Sequence, residues 1–339
     1  MTGFRIINSA DKIDGSKDWN FLKDQMQNLE AEWDFFINYP TNWLEKRITK
    51  PPLSRYRTCL QAVLHAKRRK ATHFISHLPR ATSWSVLFAH LFQVKTPHLA
   101  FSFTFTDLPT GFKRKLMAYA FQFVDRFVVY STVEKLLYAD YFKLDPNRFD
   151  VLPWAMEKPE YAPAEPLIAG DYICAVGSEG RDYATLVEAM RELPHISLVI
   201  VARPYNLEGL TFPPNVQVFT ELPVQNFWNV VRFSRFTVLP LRDRKTNCSH
   251  ISIVGSMLFG KPLVVTESEG TTDYLVEDQN ALVSDPGNSA AMGQNIDRLW
   301  RDRELCDRMI QEADRIAKSK HQLDSWARYL DDYLQHTQA

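Results

Sequence analysis

The 339-residue chain has no apolar run approaching the roughly 20 residues that a membrane-spanning helix needs. Its first fifteen residues, MTGFRIINSADKIDG, lack the apolar stretch of a signal peptide, so a cytoplasmic location is expected. Cysteine is scarce. Cys59, Cys174, Cys248 and Cys306 are widely scattered, and no two share a C-x-x-C spacing. The scatter argues against a disulfide framework or a structural zinc site and for reduced, buried thiols. A phosphate-binding P-loop is also missing. Gly255 to Lys261 has the spacing, but Pro262 stands where Ser or Thr is needed, and Met257, Leu258 and Phe259 fill the cradle. That segment reads as the end of a buried helix capped by Gly260. His73 and His77 are four apart, but the residues between them read as strand and no carboxylate is close in sequence, so no metal site is expected. The basic runs Lys67–Lys70 and Lys113–Lys115 belong to no nucleic-acid-binding motif and read as solvated helix faces; no nucleic acid is expected as a partner.

What is present is a globular composition: 45% hydrophobic and 24% charged residues. The length suits two domains. The formal net charge is zero but unevenly spread. Residues 1–155 hold 22 Lys and Arg against 14 Asp and Glu, and the remainder holds 18 against 26. A basic first half suits an anionic acceptor or an anionic membrane surface, and pairing with the acidic second half is the plainer alternative.

Short β-branched or aromatic runs alternate with helical periodicity. Strands are expected at Trp33–Asn38, Thr72–Ser76, His98–Phe103, Arg126–Tyr130 and Phe149–Leu152, with a weaker one at Phe4–Ile7. Helices are expected at Trp19–Leu29, Ser54–Arg69, Ser83–Phe92, Phe112–Phe123 and Val133–Phe142. Three prolines in Lys158–Leu167 interrupt the rhythm. A second alternation then runs from Tyr172–Val176 through Pro262–Thr266 and ends in helices at Ala290–Arg298, Glu304–Ser319 and Leu323–Leu334. The fold class expected is α/β, with two Rossmann-like doubly wound domains facing a cleft. Residues 1–157 form the first domain, 158–168 a linker, 169–318 the second domain, and 319–339 a C-terminal helix. Ligands of such sheets bind beyond the carboxyl ends of the strands.

Two stretches carry the chemistry. Gly177-Ser-Glu-Gly180-Arg181 follows a strand and opens a helix; glycines permit the tight turn, and the helix start with Arg181 favours an anion. Ser249-His250-Ile-Ser252 opens another helix after the Val238-Leu-Pro strand end, with Ser249 placed to cap it and free N–H groups beside Ser252 for phosphate oxygens. A small-residue loop, Gly270-Thr271-Thr272-Asp273-Tyr274, and the dipeptide Asn280-Ala281 follow.

The order and spacing of these pieces over about 169–317 resemble the C-terminal half of group 1, or family 4, glycosyltransferases of the GT-B fold; over 1–157 the likeness is architectural. The resemblance implies metal-independent transfer from a nucleoside-diphosphate sugar to a saccharide or glycoconjugate acceptor, with retention at the anomeric carbon and no required cofactor. The missing Asp-x-Asp pair agrees with that class rather than with the metal-dependent, single-domain one. It implies a donor site of Gly177, Gly180, Arg181, Thr220, Leu222, Asn247, Ser249, His250, Ser252, Gly270 and Thr271, in which Arg181 neutralises the diphosphate. Two glutamates usual in such sequences are replaced by Asn247 and Gly255. In the first half His77, Arg80 and Ser102 are acceptor-side candidates, and His77 and Asp107 are catalytic candidates beside Arg181. A lipid-linked saccharide acceptor, with peripheral contact of the basic first domain at the inner membrane face, belongs to the same expectation. By the same analogy the last helix, with Leu323, Trp326, Leu330 and Leu334 on one face, crosses back to the first domain. A catalytically silent nucleotide-sugar-binding or partner subunit, and a sugar-nucleotide epimerase, are the alternatives.

Overall fold

The structure is a computed structural model that describes residues 3–11, 21–26, 30–48, 50–105, 107–160, 162–244 and 249–337. It divides into two compact units: residues 1–152 with 323–339, and residues 153–322.

Unit 1 runs β1 (Phe4–Asp11), α1 (Phe21–Gln25), β2 (Ala31–Asn38), α2 (Trp43–Arg47), α3 (Leu53–Arg69), β3 (His73–His77), α4 (Pro79–Leu91), β4 (His98–Phe101), α5 (Gly111–Phe121), β5 (Arg126–Val129), α6 (Thr132–Phe142) and β6 (Phe149–Val151). Its six strands are all parallel, in the order β2-β1-β3-β4-β5-β6. The weak strand expected at Phe4–Ile7 is an inner strand twice as long. Its polar end is buried because long-range partners satisfy it: Asn8 Oδ1 accepts from His77 Nε2 (2.8 Å), and Asp11 pairs with Arg55 (2.9 Å). Of the helix expected at Trp19–Leu29, Phe21–Gln25 is seen; residues 19, 20 and 27–29 lie outside the described set. The five-residue α2 was not expected. Asn42 caps it by accepting from Glu45 N (2.9 Å), and the Arg57 guanidinium beside Glu45 holds that carboxyl down at about 2. A core of Phe103, Phe121, Phe127, Phe142 and Phe149 fills the β4–β6 side.

Unit 2 runs β7 (Ile173–Val176), α7 (Tyr183–Arg191), β8 (Leu198–Val201), β9 (Val216–Phe219), α8 (Val224–Phe233), β10 (Thr237–Leu239), α9 (His250–Leu258), β11 (Leu263–Thr266), β12 (Ala281–Ser284), α10 (Ser289–Arg301) and α11 (Arg303–Lys320). Its parallel strands are ordered β12-β11-β10-β7-β8-β9, so the winding reverses between β7 and β10. Strand sequences such as LVIV and LVVT are apolar on both faces, which suits strands covered above and below. The proline-rich residues 158–167 are fastened to α8. Asn229, 1% exposed, donates to Pro163 O and Glu165 O and accepts from Leu167 N. Cys59, Cys174 and Cys306 are buried free thiols, and Cys248 lies outside the described residues.

The chain leaves unit 1 after Leu152 and re-enters it at Leu323 with α12 (Leu323–His336). There Trp326 meets Phe101 edge-on (5.3 Å between centroids), and Tyr329 donates to Asp150 (2.7 Å). Among the described residues no helix is long and apolar enough to cross a membrane.

Two imidazoles in the unit 1 sheet set an acid limit. Burial pushes His77 and His98 down to about 3 from an ordinary 6.5, so both stay neutral in the folded chain. Unfolding lets them take up protons below about 6.5. Their stabilising effect is therefore complete above that pH and drains away as the pH falls toward 3. The urea midpoint of the intact chain is expected to decline steadily between pH 7 and pH 4.5. A flat profile over that range contradicts the burial of these two rings as neutral groups.

Candidate functional site

The site in unit 2 begins where β7 ends. Gly177 turns the chain at φ +107°, and Gly180 turns it again at φ +67°, conformations that L side chains rarely adopt. Between the turns the loop folds Arg181 back under itself. Its Nε and Nη2 donate to Val176 O (3.3 and 3.1 Å) and its Nη1 to Glu179 O (3.0 Å). Asp182 caps α7, accepting from Thr185 N and Thr185 Oγ1 (3.1 and 2.6 Å). Because β7 and β10 are neighbours, the loops leaving them run side by side. Asp182 N donates to Pro240 O (2.8 Å) and Arg242 N to Gly180 O (3.0 Å).

That pairing carries the guanidinium to the start of α9. Arg181 Nη1 donates to Ser249 Oγ, and Nη2 donates to Ser252 Oγ (3.3 Å), partners 68 and 71 residues away in sequence. Ser249 therefore does not act as the side-chain cap expected of it. It occupies the cap position at φ +86° and makes no side-chain cap hydrogen bond; its hydroxyl oxygen instead accepts from Arg181. His250, the first residue of α9, is 7% exposed. Its Nε2 donates to Gly270 O (3.2 Å), and its ring stacks on Tyr274 at 4.7 Å. Thr271 belongs to the short turn at Glu269–Thr271, with its hydroxyl donating to Ser268 O (2.8 Å). Arg181 and Ser249 thus lie on the loops after β7 and β10, at the sheet's reversal, with His250 and Ser252 in the first turn of α9 and Gly270 and Thr271 on the loop after β11. Asn247 lies outside the described residues. Thr220 and Leu222 follow β9, two strands from β7, so about 10 Å separates the strands that lead to them and to Arg181.

Gly255 is the residue whose meaning the sequence reading missed. It sits inside α9, and a Cβ built there would lie 2.2 Å from Cη2 of Trp228. The outer rim of the indole, 3% exposed, occupies the place any side chain at 255 would take. A glycine inside a helical pattern is a signal of such close approach, although it does not say what approaches.

In unit 1 the candidates separate. His77 is fully buried at the end of β3, its Nε2 committed to Asn8 and its ring against Phe101 (5.6 Å). The sequence reading expects His77 to face a substrate; the structure places it inside the sheet, bonded to Asn8. Ser102 is also buried, at φ +54°. Arg80 is exposed in the first turn of α4, and Asp107 is exposed in the loop before α5. Among the described residues no group of three or more His, Cys, Asp or Glu side chains is placed to hold a metal ion.

Residues 178–316 match the family described as glycosyl transferases group 1. Across the whole chain, a glycosyltransferase from Rickettsia africae has a TM-score of 0.73 at 14% identity, covering 99% of each chain. Anabaena HepE in complex with UDP and glucose has 0.73 at 11% identity, covering 98% of this chain and 100% of that one. Sucrose-phosphate synthase from Thermosynechococcus elongatus has 0.72 at 12%, covering 98% and 99%. The chain has the GT-B fold. No curated protein matches the chain in sequence. The matched segment begins one residue after Gly177 and contains Arg181 together with the start of α9.

Proposed function

We propose that the chain is a glycosyltransferase that moves a sugar from a nucleoside-diphosphate sugar to a saccharide or glycoconjugate acceptor, with retention and without a metal. One observation carries the reading: Arg181 is held between Ser249 and Ser252 at the reversal point of the unit 2 sheet. A departing diphosphate needs its growing negative charge met at once. A guanidinium at a helix start meets that charge when its bonds to the Ser249 and Ser252 hydroxyls are exchanged for phosphate oxygens, with the hydroxyls and N–H groups beside it as further donors. Gly177, Gly180, His250, Gly270 and Thr271 shape the loops around the diphosphate, with Asn247 expected beside them. Thr220 and Leu222, at the β9 end, lie on the nucleoside side. In unit 1 Arg80 and Asp107 face solvent at the strand-end loops and serve the acceptor. The resemblance in the family segment supports retention.

A lipid-linked acceptor and peripheral contact with the cytoplasmic membrane face belong to the same reading. Phe112, 80% exposed beside Lys113 and Lys115 on α5, supports them. The test is thermal unfolding with a panel of sugar nucleotides, followed by nucleotide release on adding saccharide acceptors. At one hundred times its Kd, a ligand that binds only the folded chain stabilises it by about 2.7 kcal/mol. One nucleotide sugar is expected to raise the melting temperature by several degrees. No shift with any nucleoside diphosphate overturns the proposal.

A further inference from the structure

A column of three stacked rings runs through unit 2 to the first residue of α9. The His250 ring lies on Tyr274 with centroids 4.7 Å and planes 20° apart, and Tyr274 lies on His321 at 5.2 Å and 7°. Stacking in this range is a directional contact as well as a means of burying surface. All three residues are buried: His250 is 7% exposed, Tyr274 1% and His321 0%. The loop after β11 fixes the near end. Its Gly270 O accepts from His250 Nε2 (3.2 Å), and its Thr271 O accepts from Tyr274 N (3.0 Å).

The far end holds Trp154 by its backbone. The Trp154 N–H donates to the Tyr274 hydroxyl (2.7 Å), the Trp154 carbonyl accepts from His321 Nδ1 (2.8 Å), and Met156 N donates to His321 O (3.1 Å). Trp154 is the second residue of unit 2 and His321 the last but one, so the column gathers both ends of that unit. Packing alone does not account for an imidazole at 321. Burial pushes it down to about 4, so the ring is neutral, and the bond to a carbonyl places its one proton on Nδ1. Nε2 is then a buried acceptor with no hydrogen-bond partner among the described residues, a cost that a phenyl ring avoids. What the imidazole adds over a phenyl ring is the bond that fixes Trp154.

We propose that Tyr274 and His321 are positioning residues for the donor site. Their rings fasten the start of α9, with the Ser249 and Ser252 partners of Arg181, to the two ends of unit 2. What the fork holds rests on the donor reading; the column does not.

Amide exchange at Ile253, whose N–H closes the first turn of α9 on Ser249 O (2.9 Å), reads the column in the full chain without nucleotide. Calorimetric titration with UDP reads its effect on the site. Tyr274→Leu and His321→Leu are each expected to speed that exchange and weaken UDP binding by about fivefold, within the range for a lost ring pair. Tyr274→Phe keeps both stacks while His321 still holds Trp154, and is expected to stay within about twofold of the parent on both readouts. Leu299→Ala on α10, in a separate core cluster, is the control. It lowers the melting temperature and is expected to leave Ile253 exchange within about twofold of the parent. Should Tyr274→Leu not fold, His321→Leu at the far end of the column carries the test. The proposal is overturned if His321→Leu leaves Ile253 exchange unchanged, or if Leu299→Ala speeds it equally. It is also overturned if the parent binds UDP and the column variants bind it as tightly. Failure of the parent to bind UDP sinks the donor reading instead, and Ile253 exchange alone then judges the column.

Discussion

Gly255→Glu is expected to destabilise the chain by more than about 4 kcal/mol, even though it restores a residue usual in sequences that this one resembles. The added Cβ alone would stand 2.2 Å from Cη2 and 2.3 Å from Cζ3 of Trp228. The ring cannot retreat. It is 3% exposed and belongs to a core cluster with Cys174, Val176 and Val231. Gly255→Ala, which adds the Cβ and nothing else, is expected to cost about 1–3 kcal/mol, the scale of overpacking. Glutamate adds to that a carboxylate taken into the apolar cluster around Trp228. Urea unfolding of the three chains measures this order. A Trp228→Ala background supplies the control. The indole's removal is itself expected to cost about 3–5 kcal/mol. Yet the double variant Trp228→Ala/Gly255→Glu should be markedly more stable than the sum of the singles allows, because the clash that couples them is gone. Parent-like stability of Gly255→Glu would show that the indole does not fill this space.

The same pair shows where sequence reading stops. Strands such as β8 and β11 were legible because runs of Val, Leu and Ile have one stable use in a doubly wound fold. The β1 strand was half legible. Its Asn8 and Asp11 look like loop residues until His77 and Arg55, 69 and 44 positions away, supply their partners. Helix α2 was illegible for a similar reason, since five residues have no periodicity to read and Arg57 holds its Glu45 from outside. At the site, the meeting of the β7 and β10 loops was readable from motif order. The details were not. That Ser249 would turn at positive φ and serve Arg181 depends on the loop ladder through Pro240 and Gly180. That His77 would be enclosed depends on Phe101 and Asn8 closing over it. Local sequence names a polar residue at a strand end; only packing decides whether it faces a ligand or the core.

Arg181→Ala is expected to weaken UDP binding by about 1.5–3 kcal/mol, the range for hydrogen bonds to a charged group, or roughly 10- to 150-fold. Loss of a guanidinium that also bonds Val176 O and Glu179 O loosens the turn as well, so this variant alone does not separate charge from shape. Arg181→Lys keeps the charge and loses the fork, and should recover part of the affinity. Gly177→Ala keeps Arg181 entirely. A Cβ at Gly177 would lie 2.7 Å from Arg181 Nη2, on a backbone already at φ +107°. To make room, the guanidinium must shift away from Ser252, or the turn must open. UDP affinity is therefore expected to fall in Gly177→Ala by several-fold with every charge of the protein retained, placing it between the parent and Arg181→Ala. Calorimetric titration of the four chains with UDP gives the order directly. Equal affinity across all four would mean that the diphosphate is held elsewhere, and the fork between Ser249 and Ser252 would then be a structural clasp for the two loops.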